Sequence, residues 1–165
     1  MSGLPALTGS PLLVSVLPVL TAHRGKLLSG HPKRGTPVHA ASFIRRREIV
    51  LETELLGKAD LPHILVHEIF HFVWVRLGNS LRRSYAALVE EEQRNKARGE
   101  LGESALVSKR LAPDSRDYLC ESFCDTAAWL YASATPRLHA SLAKRWRLRR
   151  GAWFEATFGG LSRGC

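Results

Sequence analysis

Cysteine is scarce in this chain, with three residues among 165, and the number is odd. A disulfide framework needs pairs, and a domain of this length buries about 70% of its unfolded surface without one. Free thiols in a reducing compartment are therefore expected. Cys120 and Cys124 stand four apart on a predicted helix, where their Cβ directions do not suit a disulfide. Long apolar runs are missing as well. Leu12 to Leu20 contains Pro18 and has no Lys or Arg before it, which argues against a secretory signal. The run from Ile64 to Val75 is broken by His67, Glu68 and His71, and no segment reaches the roughly 18 to 20 apolar residues of a spanning helix. No membrane span is expected, and the cytoplasm is the expected location.

Acidic residues are absent from two stretches. Residues 1–47 carry seven Lys or Arg and residues 137–150 carry six, with no Asp or Glu in either, in a chain of net charge +9. Basic flanks around a mildly acidic centre fit an acidic peptide or protein substrate. Nucleic acid is the lesser expectation, because charge runs are usually solvated faces.

What the chain does hold is an ordinary globular composition, 45% hydrophobic and 24% charged, which fits one α+β domain over residues 1–165. Pro and Gly punctuate residues 1–37 and limit that segment to short strand pieces or an extended arm. Residues 38–56 hold Val38 to Ile44 and Glu48 to Leu56, rich in Ile, Val, Phe and Thr, which read as a long strand or a hairpin. Residues 60–165 read as mainly helical. A first helix over 61–77 has Asp60 as cap and Pro62 in its first turn, and Gly78-Asn79 stops it. A second starts after Asn79 or Ser80 and runs towards Arg98, residues 103–114 read as a loop, a third helix capped by Asp114 or Ser115 runs through about Ala132, and a basic fourth covers about 137–149.

The chemistry concentrates in His67-Glu68-Ile69-Phe70-His71. On a helix, His67 and His71 lie one turn apart on one face and can offer two ring nitrogens to one metal ion, with the Glu68 carboxylate placed for a metal-bound water. The flanks Ile64, Leu65, Val66, Phe70, Phe72, Val73 and Trp74 make this helix apolar nearly all round, so it is buried. Three ionisable groups in a buried turn need a compensating partner, and a metal ion is the simplest. Two His leave a catalytic zinc one ligand short. Glu121 and Asp125, four apart on the third helix, supply the candidates: one carboxylate can bind the ion while the other holds a ligand imidazole. Cys124 offers a thiolate as a further alternative.

HExxH on one helix joined by ExxxD on a later one resembles the gluzincin metallopeptidases, and the chain length is nearest to their small stand-alone minigluzincin type. The resemblance implies that His67, His71 and Glu121 bind one Zn2+ ion, that Glu68 is the catalytic base, and that Asp125 holds a ligand imidazole. It implies a zincin-like fold: a small mixed sheet whose edge strand, within 38–56, packs beside the HExxH helix and pairs with extended peptide, and a second helix carrying the third ligand. The Asn that often precedes the third ligand in larger gluzincins is Cys120 here. Tyr118, Tyr131 and His139 are candidates for stabilising the transition state. The expected activity is zinc-dependent peptide hydrolysis. The alternative is a non-catalytic regulatory or nucleic-acid-binding protein with a structural or vestigial metal site.

Overall fold

A computed structural model of the chain describes residue 4 and residues 9–30, 35–132 and 140–159. The architecture is α+β. Strands β1 (Leu13–Leu17), β2 (Leu20–His23), β3 (Lys26–Ser29), β4 (Thr36–Pro37), β5 (Ala40–Phe43) and β6 (Glu48–Glu52) precede helices α1 (Leu61–Arg76), α2 (Asn79–Arg94), α3 (Glu103–Leu111), α4 (Arg116–Tyr131) and α5 (Lys144–Phe158).

Two three-stranded sheets form, ordered β1-β6-β5 and β3-β2-β4. β5 and β6 form a hairpin, one of the two arrangements expected of the Ile/Val-rich stretches, antiparallel with Ala41 opposite Val50. The N-terminal segment contributes more than an arm: β1 runs parallel to β6, Ser15 opposite Val50, and makes this sheet mixed. In the smaller sheet, Arg24 and Gly25 both take positive φ, 48° and 72°, in the tight turn between β2 and β3, where glycine meets no steric penalty.

α1 is apolar on all sides because it has neighbours on both. Phe72, with Ile64, Leu65 and Ile69, packs on Ile49, Leu51 and Leu55 of the mixed-sheet layer. Val66 and Phe70 face the other way into the main core with Tyr85, Phe123, Ala127 and Phe154. That core is aromatic, with Phe123 stacked on Phe154 at 4.9 Å between centroids and Phe70 on Tyr131 at 5.5 Å.

Three sequence expectations need correction. Residues 103–114 are not a loop: α3 occupies 103–111, with Gly102 before it, Glu103 in its first turn and Lys109 and Arg110 in its last. Its apolar pattern is too short to register as periodic, while its composition and end charges suit a helix. The second helix stops at Arg94 rather than Arg98, where Lys96 takes φ 53°. The basic helix starts at Lys144 and runs on through Gly151 to Phe158, not over 137–149. Residues 141 and 142 cannot join it, since their N–H groups donate to the Glu100 carbonyl. Asp60 precedes α1 as expected, but its side chain makes no capping bond. At α4 the cap is made by the Ser115 hydroxyl, which accepts from the Tyr118 N–H at 3.0 Å.

The C-terminal aromatics divide between two clusters. Trp153, Phe154 and Phe158 join the main core, whereas Trp146 packs with Leu101 and Leu142, against which Trp129 rests.

A buried ion network ties the helices together. Arg150, fully buried on α5, donates to both carboxylate oxygens of Glu92 at 2.9 and 2.6 Å and to Glu100 at 2.9 Å. Glu100 also accepts from the Tyr118 hydroxyl at 2.6 Å and from Lys109 at 2.9 Å. Burial would push the Glu100 carboxyl up, but Arg150 and Lys109 hold it below its ordinary 4.5. Replacing Arg150 by Met leaves buried Glu92 without its cation and Glu100 with Lys109 alone, and should cost about 3–5 kcal/mol in urea unfolding. Arg149→Met, which breaks the exposed, solvent-screened pair with Glu91, should leave the urea midpoint almost unchanged. Because the folded-state pKa of Glu100 is depressed, its share of the stability is present above pH 4.5 and is lost as acid takes the pH down through the lower folded value.

Candidate metal centre

α1 and α4 cross so that the inner face of the HExxH turn meets Glu121 and Asp125. His67 Nε2 lies 3.1 Å from Glu121 Oε2, and His71 Nε2 lies 3.9 Å from Glu121 Oε1. The two imidazole centroids are 4.9 Å apart. On the opposite side of the first ring, His67 Nδ1 is 2.7 Å from Asp125 Oδ1. Asp125 is buried, and its other oxygen accepts the Ala105 N–H at 2.8 Å. Cys120 stands 3.4 Å from His71 Nδ1, so each imidazole has a partner on the nitrogen turned away from Glu121.

Glu68 is buried, and β5 holds it. The Ser42 hydroxyl lies 2.6 Å from Glu68 Oε2 and 3.0 Å from its backbone oxygen. Sequence reading missed Ser42. The signal was faint: a single Ser in an apolar strand whose neighbours all have packing roles.

The electrostatics favour a cation. Burial pushes the His67 ring towards neutrality, but hydrogen bonds to Asp125 and Glu121 overcome it and hold its pKa well above 6.5. Burial likewise opposes the charge on His71, which Cys120 and Glu121 raise. The Glu121 carboxyl, which burial alone would push up, is held below 4.5 by His67 and His71. Cys120 is drawn down, first by the thiol of Cys124 and then by His71. A site that draws protons onto its imidazoles and keeps its carboxylate ionised stabilises positive charge.

The two His–Glu121 contacts run to different oxygens of the carboxylate. Nitrogen and oxygen ligands at roughly 2.0–2.1 Å from a tetrahedral ion lie about 3.3 Å from one another, and the two His–Glu121 separations of 3.1 and 3.9 Å bracket that value. His67, His71 and Cys124 form a second grouping, with ligand atoms within 4.8 Å of one another. A thiolate on tetrahedral zinc lies about 3.6 Å from its nitrogen neighbours, so an ion bound here would draw these three residues closer together.

Beside His67 and Glu68 a cleft of about 430 Å³ opens between β5, α1, α3 and α4. Ile64, Leu101, Ala128 and Trp129 give it apolar walls, and His39, Asp60, His63 and Glu103 give it polar ones. His39, missed by the sequence reading, is held by Glu52 at 2.8 Å. The transition-state candidates are placed differently. Tyr118 is fully buried with its hydroxyl on Glu100, and Tyr131 stacks on Phe70; neither lines the cleft. His139 lies outside the described residues.

No protein-family model, curated protein or solved structure matches the chain.

The two ligand groupings can be separated by elemental analysis after zinc loading. Glu121→Ala should lose most bound zinc, and Cys124→Ala should keep it. Cobalt-substituted protein should correspondingly lack the strong near-ultraviolet sulfur-to-metal band. The reverse pattern would assign the third ligand to Cys124.

Proposed function

We propose that the chain is a zinc-dependent metallopeptidase of zincin-like architecture, in which His67, His71 and Glu121 hold one Zn2+ ion and Glu68 is the general base. The observation that carries this reading is the convergence of the HExxH turn of α1 with the Glu121/Asp125 pair of α4 across one buried contact. The small mixed sheet, with β5 at its edge and beside α1, supports the zincin comparison.

A bound zinc ion supplies Lewis acidity, polarising a peptide carbonyl and bringing the pKa of a bound water towards 7. The protein's own part is positioning and proton transfer. Ser42 orients the Glu68 carboxylate towards the cleft, where Glu68 takes the proton from the attacking water and returns it to the leaving amine. The outer edge of β5 carries backbone groups that can pair with an extended peptide, as edge strands do when they recruit a ligand strand. Asp125 orients the His67 ring, and the flanking helices keep water from the buried side.

The cleft also bears on substrate charge. Its described lining carries Asp60, Glu68, Glu103 and Asp125 and no Lys or Arg, although the chain as a whole is strongly basic. A neutral or basic side chain therefore suits the cleft better than the acidic one that the net charge points to. No helix among the described residues is long and apolar enough to cross a membrane.

Glu68→Gln should retain zinc and lose hydrolysis of an internally quenched peptide library by about 100-fold or more, the upper range for a general base. A Glu68→Gln protein as active as wild type would sink the assigned mechanism. Among matched peptides, those with Arg or Leu beside the cleaved bond should be cut at least about tenfold faster than those with Glu, equivalent to about 1.4 kcal/mol of discrimination. Faster cleavage of the Glu peptide would return the assignment to an acidic substrate.

A further inference from the structure

Gly102 precedes α3 with an extended backbone, φ −153°, that any residue can adopt. Conformation therefore does not require glycine at this position. Space does: a Cβ there would sit 2.2 Å from Asp125 Cγ and 2.3 and 2.5 Å from its two oxygens. Three residues on, the Ala105 N–H donates to Asp125 Oδ2 at 2.8 Å, while Asp125 Oδ1 lies 2.7 Å from His67 Nδ1. One carboxylate thus joins the first turn of α3 to the HExxH helix, and both of its oxygens are engaged.

From this juxtaposition we infer that the Gly102–Ala105 turn is a positioning element for the metal site, acting through Asp125 on the tautomer and direction of the His67 ring. The inference rests on the zinc-site reading above and extends it to residues that touch neither the ion nor a substrate. A carboxylate with one oxygen fixed by a backbone N–H cannot rotate freely. Its remaining oxygen then accepts the Nδ1 proton, which leaves the lone pair on Nε2, the nitrogen turned towards Glu121. Without the Ala105 bond, Asp125 can swing off His67, and without the gap at Gly102 it cannot take up its place at all.

The turn is itself anchored from behind. Glu100, two residues before Gly102, is held through its side chain by Arg150, Tyr118 and Lys109 and through its carbonyl by the N–H groups of Ser141 and Leu142. Gly99 lies against Ser141, where a Cβ would come within 2.5 Å of the Ser141 backbone. The segment 99–105 is thus clamped at both ends, which gives the Ala105 N–H a fixed location.

Two variants test the inference in the full chain. Gly102→Ala places a methyl group where the Asp125 carboxylate sits. Replacing the amide at Ala105 by an ester puts an oxygen in place of the N–H without adding any side-chain atom, and it decides the matter if the alanine variant fails to fold. Zinc affinity is read by competition with a chelating indicator, the His67 ring by nitrogen-15 NMR of its Nδ1–H, and folding by urea titration. Both folded variants should bind zinc about 10- to 100-fold more weakly, the range typical when a carboxylate behind a ligand histidine is lost. They should also lose the slowly exchanging His67 Nδ1–H resonance. An ester variant with wild-type affinity and an intact resonance overturns the inference. If wild-type protein binds no zinc, the metal reading falls by itself. The resonance in metal-free wild type and ester variant then judges the positioning role, and its persistence in the ester variant refutes it.

Discussion

The hydrogen bond between His67 Nδ1 and Asp125 Oδ1 joins two helices at a point where both partners are buried. Left unpaired, each buried group would cost a few kcal/mol, and a charged one more. The main core therefore has two requirements that must be met together. Phe70, Phe123 and Ala127 bring α1 and α4 into van der Waals contact, and that contact must place the polar groups of the two helices in register. A slip of one residue along either helix would rotate the carboxylates about 100° away from the imidazoles. Apolar packing drives the two helices together, and the polar pairs select the one alignment that leaves no buried charge alone.

The same logic operates a second time, on the far side of α4. Arg150, Glu92, Glu100, Tyr118, Tyr85, Ser122 and Thr126 are buried or nearly so and share a hydrogen-bond system. Tyr118 presents its hydroxyl to Glu100 there, and this is why it is unavailable to the cleft. α4 thus has a polar group on each of two faces: Asp125 towards α1 and α3, and Thr126 with Ser122 towards α2 and α5. Buried polar systems of this kind are weak as sources of net stability and strong as determinants of alignment. The rigidity that a preorganised site needs follows from having two of them on one helix.

Much of this was legible in the sequence, and most of the exceptions have a common cause. The HExxH helix, the α4 carboxylates and the β5–β6 hairpin announce themselves through local spacing, because residues four apart on a helix or two apart on a strand share a face whatever surrounds them. α3, the true start of α5 and the destination of Tyr118 do not. The last two depend on Glu100, a residue whose partners lie 9 to 50 positions away, while α3 is too short for its apolar pattern to register. Nothing near Ser141 or Leu142 in sequence says that their N–H groups are already committed to the Glu100 carbonyl, yet that commitment moves the helix start to Lys144. Ser42 and His39 were hidden for the same reason. Their importance comes from Glu68 and Glu52, on other elements, and a lone Ser in a strand or a lone His just before one carries no pattern of its own.

The missed helix also explains how a basic chain acquires an acidic cleft. Asp60 stands before the first turn of α1 and Glu103 within the first turn of α3, positions where a carboxylate complements the helix dipole by a few tenths of a kcal/mol. That effect would hold wherever the two helices pointed. What the fold adds is that both N-termini open on the space beside His67 and Glu68, so acids placed for helix stability become the lining of the site. The Lys and Arg excess falls elsewhere, for instance at Arg145 and Arg149 over the Trp146 ring and at Arg46 over Phe43. Net charge therefore describes the surface that a distant partner meets, whereas the potential inside the cleft is set by which helix ends converge there.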